Sequence, residues 1–131
     1  MAIIRKYALA AVLTPTLDVG PHWVTRKQPV INADAAITDV IELLTFEKAG
    51  TIFRANLAIS ATLGAGCTAK LVIGDGTTNV DVSLVTTAGA ASKVTGNDTV
   101  EFVAGAKLFV LIAGAGITAA ATIRADVLVQ Y

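Results

Sequence analysis

The sequence predicts an all-β protein, an antiparallel sandwich or barrel, and three observations carry that expectation. From Thr51 to Leu63, apolar Phe53, Ala55, Leu57, Ile59, Ala61 and Leu63 alternate with polar Arg54, Asn56, Ser60 and Thr62. That is the two-residue period of a half-buried strand. The end of the chain repeats it at greater length, with Ile117, Ala119, Ala121, Ile123, Ala125, Val127, Val129 and Tyr131 on one face and Thr118, Thr122, Arg124, Asp126 and Gln130 on the other. Between them, short runs rich in Val, Ile, Leu and Phe are separated by glycine turns, and even spacing of this kind marks an antiparallel fold.

Taken in order, residues 1–36 have a texture of their own. They hold all three prolines (Pro15, Pro21, Pro29), the single His22 and the single Trp23, with no sustained period. They are expected to form an N-terminal arm, held by its own domain or by a neighbouring subunit, and 37–131 to form the sandwich. The segment Thr38 to Gly50, "TDVIELLTFEKAG", has caps for a short helix. Val40, Ile41, Leu43, Leu44 and Phe46 make no clean helical stripe, however, and a strand is favoured, with Lys48-Ala-Gly50 as a hairpin connection into the strand at Thr51. Further strands are expected at Ala69 to Ile73, Val80 to Thr86, Thr99 to Val103 and Lys107 to Ile112. Their separators, Gly64-Ala-Gly66, Gly74-Asp-Gly76, Gly96-Asn-Asp98, Ala104-Gly-Ala106 and Gly114-Ala-Gly116, accept positive φ at little cost.

Composition narrows the function. The chain has 131 residues, of which 54% are hydrophobic and 15% charged, against about 25% charged in an ordinary soluble domain. So sparse a charge suits a surface shielded by other proteins. Ten basic and ten acidic side chains cancel, which argues against nucleic acid or an anionic membrane as partner. The pairs Arg5-Lys6 and Arg26-Lys27 make the N-terminal segment locally basic, although solvated charge is the ordinary reading of such pairs. The apolar stretch from Tyr7 to Leu13 is at the lower limit for an export signal and is expected to stay in the chain. The sequon Asn97-Asp-Thr99 then reads as a turn. The longest uncharged runs fall short of the roughly 20 apolar residues of a spanning helix.

Catalytic and ligand motifs fail on inspection. Gly114-Ala-Gly116-Ile-Thr-Ala119 has the spacing of a dinucleotide-binding turn, but that turn must open a helix, and here a β-alternating run follows. No acidic residue stands about twenty positions on to hold a ribose. Gly64 to Lys70 lacks the ending of a phosphate loop, and Asp75 and Asp81 are too few for calcium. One cysteine, Cys67, excludes an internal disulfide and a cysteine cage for zinc. The carboxylates Glu42, Glu47, Asp81, Glu101 and Asp126 are scattered singly. No active site, cofactor or metal is expected. Phe46, Phe53, Phe102 and Phe109 read as core, while Trp23 suits either core or the centre of an interface.

The stretches "ITDVIELLTFEKAGTIFRANLAIS", "AKLVIGDGTTNVDVSLV" and "ATIRADVLVQY" resemble a group of small structural proteins of tailed bacteriophages, over roughly Ile37 to Tyr131. The resemblance implies a jelly-roll-like sandwich that decorates or cements the capsid, as a homotrimer seated where subunits of the major capsid (coat) protein meet on the outer surface of the virion. It carries over no catalytic residues, and no motif fixes its contacts. The arm departs from the resemblance. Its residues Ile3, Ile4, Arg5, Lys6, Trp23, Arg26 and Lys27 are the candidate contacts to coat or to an adjacent copy. The alternatives are a phage tail or head-fibre subunit and, from another class, a free ligand-binding β-sandwich module.

Overall fold

A computed structural model describes residues 3–4, 12–13, 21–86 and 91–131. Among these there is no helix. The strands are β1 (Ile3–Ile4), β2 (Val12–Leu13), β3 (His22–Val30), β4 (Val40–Phe46), β5 (Gly50–Ile59), β6 (Thr68–Gly74), β7 (Asn79–Asp81), β8 (Ser92–Gly96), β9 (Val100–Phe102), β10 (Lys107–Ala113) and β11 (Ala121–Gln130). They form two packed sheets. The first runs β1-β4-β10-β6-β7, with β2 also on β4; the second runs β3-β11-β5-β8, with β9 also on β5. Pairing is antiparallel except where β1 and β2 lie parallel to β4.

Alternation builds the core. Ile123, Ala125, Val127 and Val129 of β11 and Ala55, Leu57 and Ile59 of β5 face Ile41, Leu43, Leu44 and Phe46 of β4 and Leu108, Val110 and Ile112 of β10, all buried. Phe46 and Phe102 meet across the sheets with centroids 4.4 Å apart, a distance at which aromatic pairs attract beyond their area. A second, smaller cluster lies on the other face of the first sheet, where Val40, Val72 and Phe109 pack with Ile3 and Leu111.

Several expectations change here, each for a local reason. Lys48-Ala-Gly50 is not a hairpin: β4 and β5 belong to different sheets, so this connection crosses the sandwich. Gly64-Ala-Gly66, Ala104-Gly-Ala106 and Gly114-Ala-Gly116 likewise pass between sheets, and only Gly74-Asp-Gly76 opens a true hairpin, between β6 and β7. Phe53 is half-buried and Ile52 takes the inward position, because β5 carries a bulge: Leu128 pairs with Arg54 and Val129 with Ile52. One extra residue shifts the phase of everything before it. The last strand starts at Ala121, since Ile117 and Thr118 hydrogen-bond to Ala35 and Leu63 in two other connections.

The expected strand from Val80 to Thr86 ends at Asp81. Beyond it, the Val82 and Thr86 N–H groups still donate to Leu71 O and Ala69 O, but the return bonds go to hydroxyls: the Leu71 N–H donates to Ser83 Oγ and the Ala69 N–H to Thr86 Oγ1, both at 2.9 Å. The Leu84 N–H then donates to Thr95 O of β8 at 3.1 Å, so this segment bridges the open side of the sandwich.

In the β6–β7 hairpin, Asp75 Oδ1 accepts from the N–H groups of Thr78 (2.7 Å) and Thr77 (2.8 Å). Those bonds, Thr78 first, hold its carboxyl below the usual range. A depressed carboxylate contributes stability above its unfolded pKa and loses it as pH falls through the folded value. Amide exchange at Thr77 and Thr78 should therefore quicken below the ordinary titration range of aspartate. Exchange at both amides unchanged in Asp75→Ala would exclude the bond as the source of their protection.

Candidate functional site

The structure separates the seven residues singled out in the arm. Ile3 and Ile4 pair with Val40 and Ile41 of β4; Ile3 packs in the outer cluster and Ile4 against the main core. A Cβ on Gly76, whose φ is +97°, would come within 2.5 Å of Ile3 Cδ1, so the glycine is what lets Ile3 seat there. Arg5 and Lys6 lie outside the described residues. Trp23, Arg26 and Lys27 belong to β3, which pairs with β11 along its whole length and places Val30 in the core. Residues 22–30 are therefore a strand of the second sheet.

Along β3 the side chains take opposite faces. Arg26 turns inward, and its Nε donates to Leu43 O at 3.1 Å. That carbonyl belongs to the bulged residue of β4, where Leu108 pairs with Leu44 and Phe109 with Glu42, leaving Leu43 without a rung. An inward charge on an edge strand also discourages a further strand from adding. Trp23 and Lys27 turn outward, and Trp23 is 50% exposed.

Trp23, Thr25, Asn56, Arg124 and Asp126 line an open depression of about 300 Å³ on the outer face of the second sheet. Register explains the grouping: Thr25 pairs with Asp126, and Asp126 with Asn56. Thr25 Oγ1 donates to Asp126 Oδ1 at 2.5 Å, and Arg124 Nε lies 3.2 Å from Asp126 Oδ2. The sequence placed Arg124 and Asp126 on one polar face but could not join them to Trp23. The missing signal was β3 itself, whose inward positions include polar Arg26 and Gln28 and so break the apolar period.

A more apolar depression, about 410 Å³, lies between the two sheets at their β7 and β9 margins, lined among others by Ile73, Val80, Phe102, Val103 and Ala106. Val80 and Val103 are exposed in its lining, and Leu84 and Val85 are exposed on the connection between β7 and β8.

The groups with catalytic potential do not converge. His22 packs against Tyr131, the rings tilted by 44° with centroids 5.7 Å apart. Cys67 is buried, and desolvation pushes its thiol above the ordinary value, toward an unreactive neutral form. Among the described residues, no three His, Cys, Asp or Glu side chains group as they would to hold a metal ion. Gly114-Ala-Gly116 sits at a sheet crossing with no helix after it. An ion pair with a buried carboxylate, Lys107 Nζ to Glu42 Oε1 at 3.0 Å, stands on the outer face of the first sheet, where Lys107 also donates to Thr45 Oγ1 at 2.8 Å. Its role is in stability.

No protein-family model matches the sequence, and no curated protein matches it. Solved structures do match in fold. A chain in the acidic stable capsid structure of Helicobacter pylori bacteriophage KHP30 superposes with a TM-score of 0.60 at 9% identity, over 87% of this chain and 90% of that one. A chain in the capsid of Ralstonia phage GP4 gives 0.59 at 17% identity, over 89% of each. A chain in the capsid asymmetric unit of cyanophage Pam1 gives 0.50 at 13% identity, over 92% and 93%. At such identities the likeness is one of fold.

Proposed function

We propose that the chain is a non-enzymatic virion structural protein of a tailed bacteriophage, a decoration or cement protein that binds the outside of the assembled coat shell and stabilises it. The observation that supports this is the near-full-length likeness to chains of three phage capsids, 87–92% of this chain against 89–93% of those. The strand order β3-β11-β5-β8 facing β4-β10-β6-β7 is one we read as a jelly roll. Sparse charge and the exposed Val80 and Val103, which line one apolar depression and of which Val103 is 73% exposed, suit a face buried by a neighbouring copy in a homotrimer. A bridging protein stabilises a shell by mass action and multivalency, since parting two coat subunits would require breaking its contacts to both.

The structure changes how the arm is to be tested. Removing residues through Lys27 would take most of β3 and with it the edge of the second sheet. A chain beginning at Pro21 keeps β3 to β11 and should fold, while losing Ile3 from the outer cluster.

The test is co-sedimentation with coat shells assembled without this protein. Full-length chain should pellet with shells to a saturable stoichiometry and raise their melting temperature. A chain that stays in the supernatant and sediments alone as a monomer would sink the proposal in favour of a free binding module. Labelled chain found on tails in intact particles would move it to the tail.

A further inference from the structure

The outer face of the second sheet carries a charge arrangement that the fold does not require. Register sets Lys27 of β3 opposite Arg124 of β11, Arg124 opposite Ala58 of β5, and Ala58 opposite Lys93 of β8. Alternation turns all four outward, with Lys27, Arg124 and Lys93 exposed. One row across four strands thus presents cation, cation, methyl, cation. At about 4.8 Å between strands, its backbone span is about 14 Å.

Like charges directly opposite one another weaken a sheet, so Lys27 against Arg124 is a local cost to the isolated chain. Asp126 offsets it at Arg124. Among the described residues no carboxylate pairs with Lys27 or Lys93. Trp23 stands two rows away, opposite Leu128 and half exposed. An aromatic anchor on a rigid strand, with charged groups around it, is the composition of a binding hot spot and its rim.

We infer that this face meets the coat shell, and that it docks on an acidic patch of the coat protein, with Trp23 as the apolar anchor and Lys27, Arg124 and Lys93 opposite carboxylates. The inference rests on the cement reading and adds to it the docking face and the chemistry of the partner. Charge complementarity selects the occupant. Nucleic acid would also attract cations, but duplex binders draw on about 6–10 phosphate contacts. This row offers far fewer, on a chain whose ten basic and ten acidic groups cancel.

The experiment titrates coat shells, assembled without this protein, with full-length wild type, W23A, the double variant K27E/K93E, and a control, K48E/K70E, with the same change in net charge off this face. Lys70 pairs only with the exposed Asp81, so the control should fold; circular dichroism verifies every variant. W23A and K27E/K93E should each bind about 30-fold more weakly, and the salt dependence of binding should flatten in the double variant. The control should stay within about twofold of wild type. Wild type that binds, with K27E/K93E no weaker than the control, would overturn this face and leave the cement reading standing. Wild type that does not bind shells overturns both. Displacement from shells by a short DNA duplex at equal concentration would overturn the acidic-protein partner in favour of nucleic acid.

Discussion

Lys107→Met should destabilise the protein by about 3 kcal/mol, read as a lowered urea midpoint at unchanged slope. The Glu42 side chain is 7% exposed and Lys107 29%, with Oε1 and Nζ 3.0 Å apart. Glu42 is buried on β4, opposite Phe109 in register, where a carboxylate has little water to replace its cation. The large cost comes from taking the nearby Lys107 cation away from a buried carboxylate and exceeds what the pair itself contributes. The double variant Glu42→Gln/Lys107→Met should therefore recover most of the loss. A cycle of the four proteins should show coupling of about 1–3 kcal/mol. If Lys107→Met alone cost under about 0.5 kcal/mol, the other contacts of Glu42 would be sufficient to hold it, and the ion pair would be incidental.

The second large effect belongs to Gly114. Its φ is +75°, and a Cβ there would collide with the backbone oxygen of Gly66, in the crossing between β5 and β6. Neither atom belongs to a flexible side chain that could swing away. Gly114→Ala should cost about 3 kcal/mol, combining the left-handed backbone with the clash. Gly105 supplies the internal standard, with φ at +87° and nothing within 4 Å of its added Cβ. Gly105→Ala should cost only the backbone part, about 1 kcal/mol. Equal losses in thermal melts of the two variants would show that the contact between the two crossings does not matter.

Gly114 also shows why a motif has to be judged by what surrounds it. The Gly-x-Gly-x-x-Ala spacing would describe a nucleotide turn if a helix followed. Residues 121–130 instead form β11, which pairs on both sides, with β3 and β5. The glycine is required for a close passage between two loops, a need invisible in one dimension.

The candidate site was half legible. Arg124 and Asp126 fall on the polar side of a strongly alternating strand, so their common face could be read. Trp23 and Lys27 could not be joined to them, because the middle of β3, Thr25 to Gln28, is polar on both faces. Arg26 and Gln28 occupy inward positions there by finding carbonyls, Leu43 O at 3.1 Å and Pro29 O at 2.9 Å. Hydrophobic periodicity cannot register a strand whose buried positions are satisfied by hydrogen bonds. Arg26-Lys27 read as one basic pair, and the pleat sends its members to opposite faces.

What the sequence determined alone was the class: period-two apolar runs punctuated by glycine can be buried only as strands packed face to face, whatever their order. Which strands become neighbours, which glycine turns stay in one sheet and which cross to the other, and where the two bulges fall were decided by tertiary structure. The reason is that these depend on register and on contacts between residues far apart in the chain, and a side-chain pattern that repeats every two positions is equally compatible with many pairings until the whole core is closed.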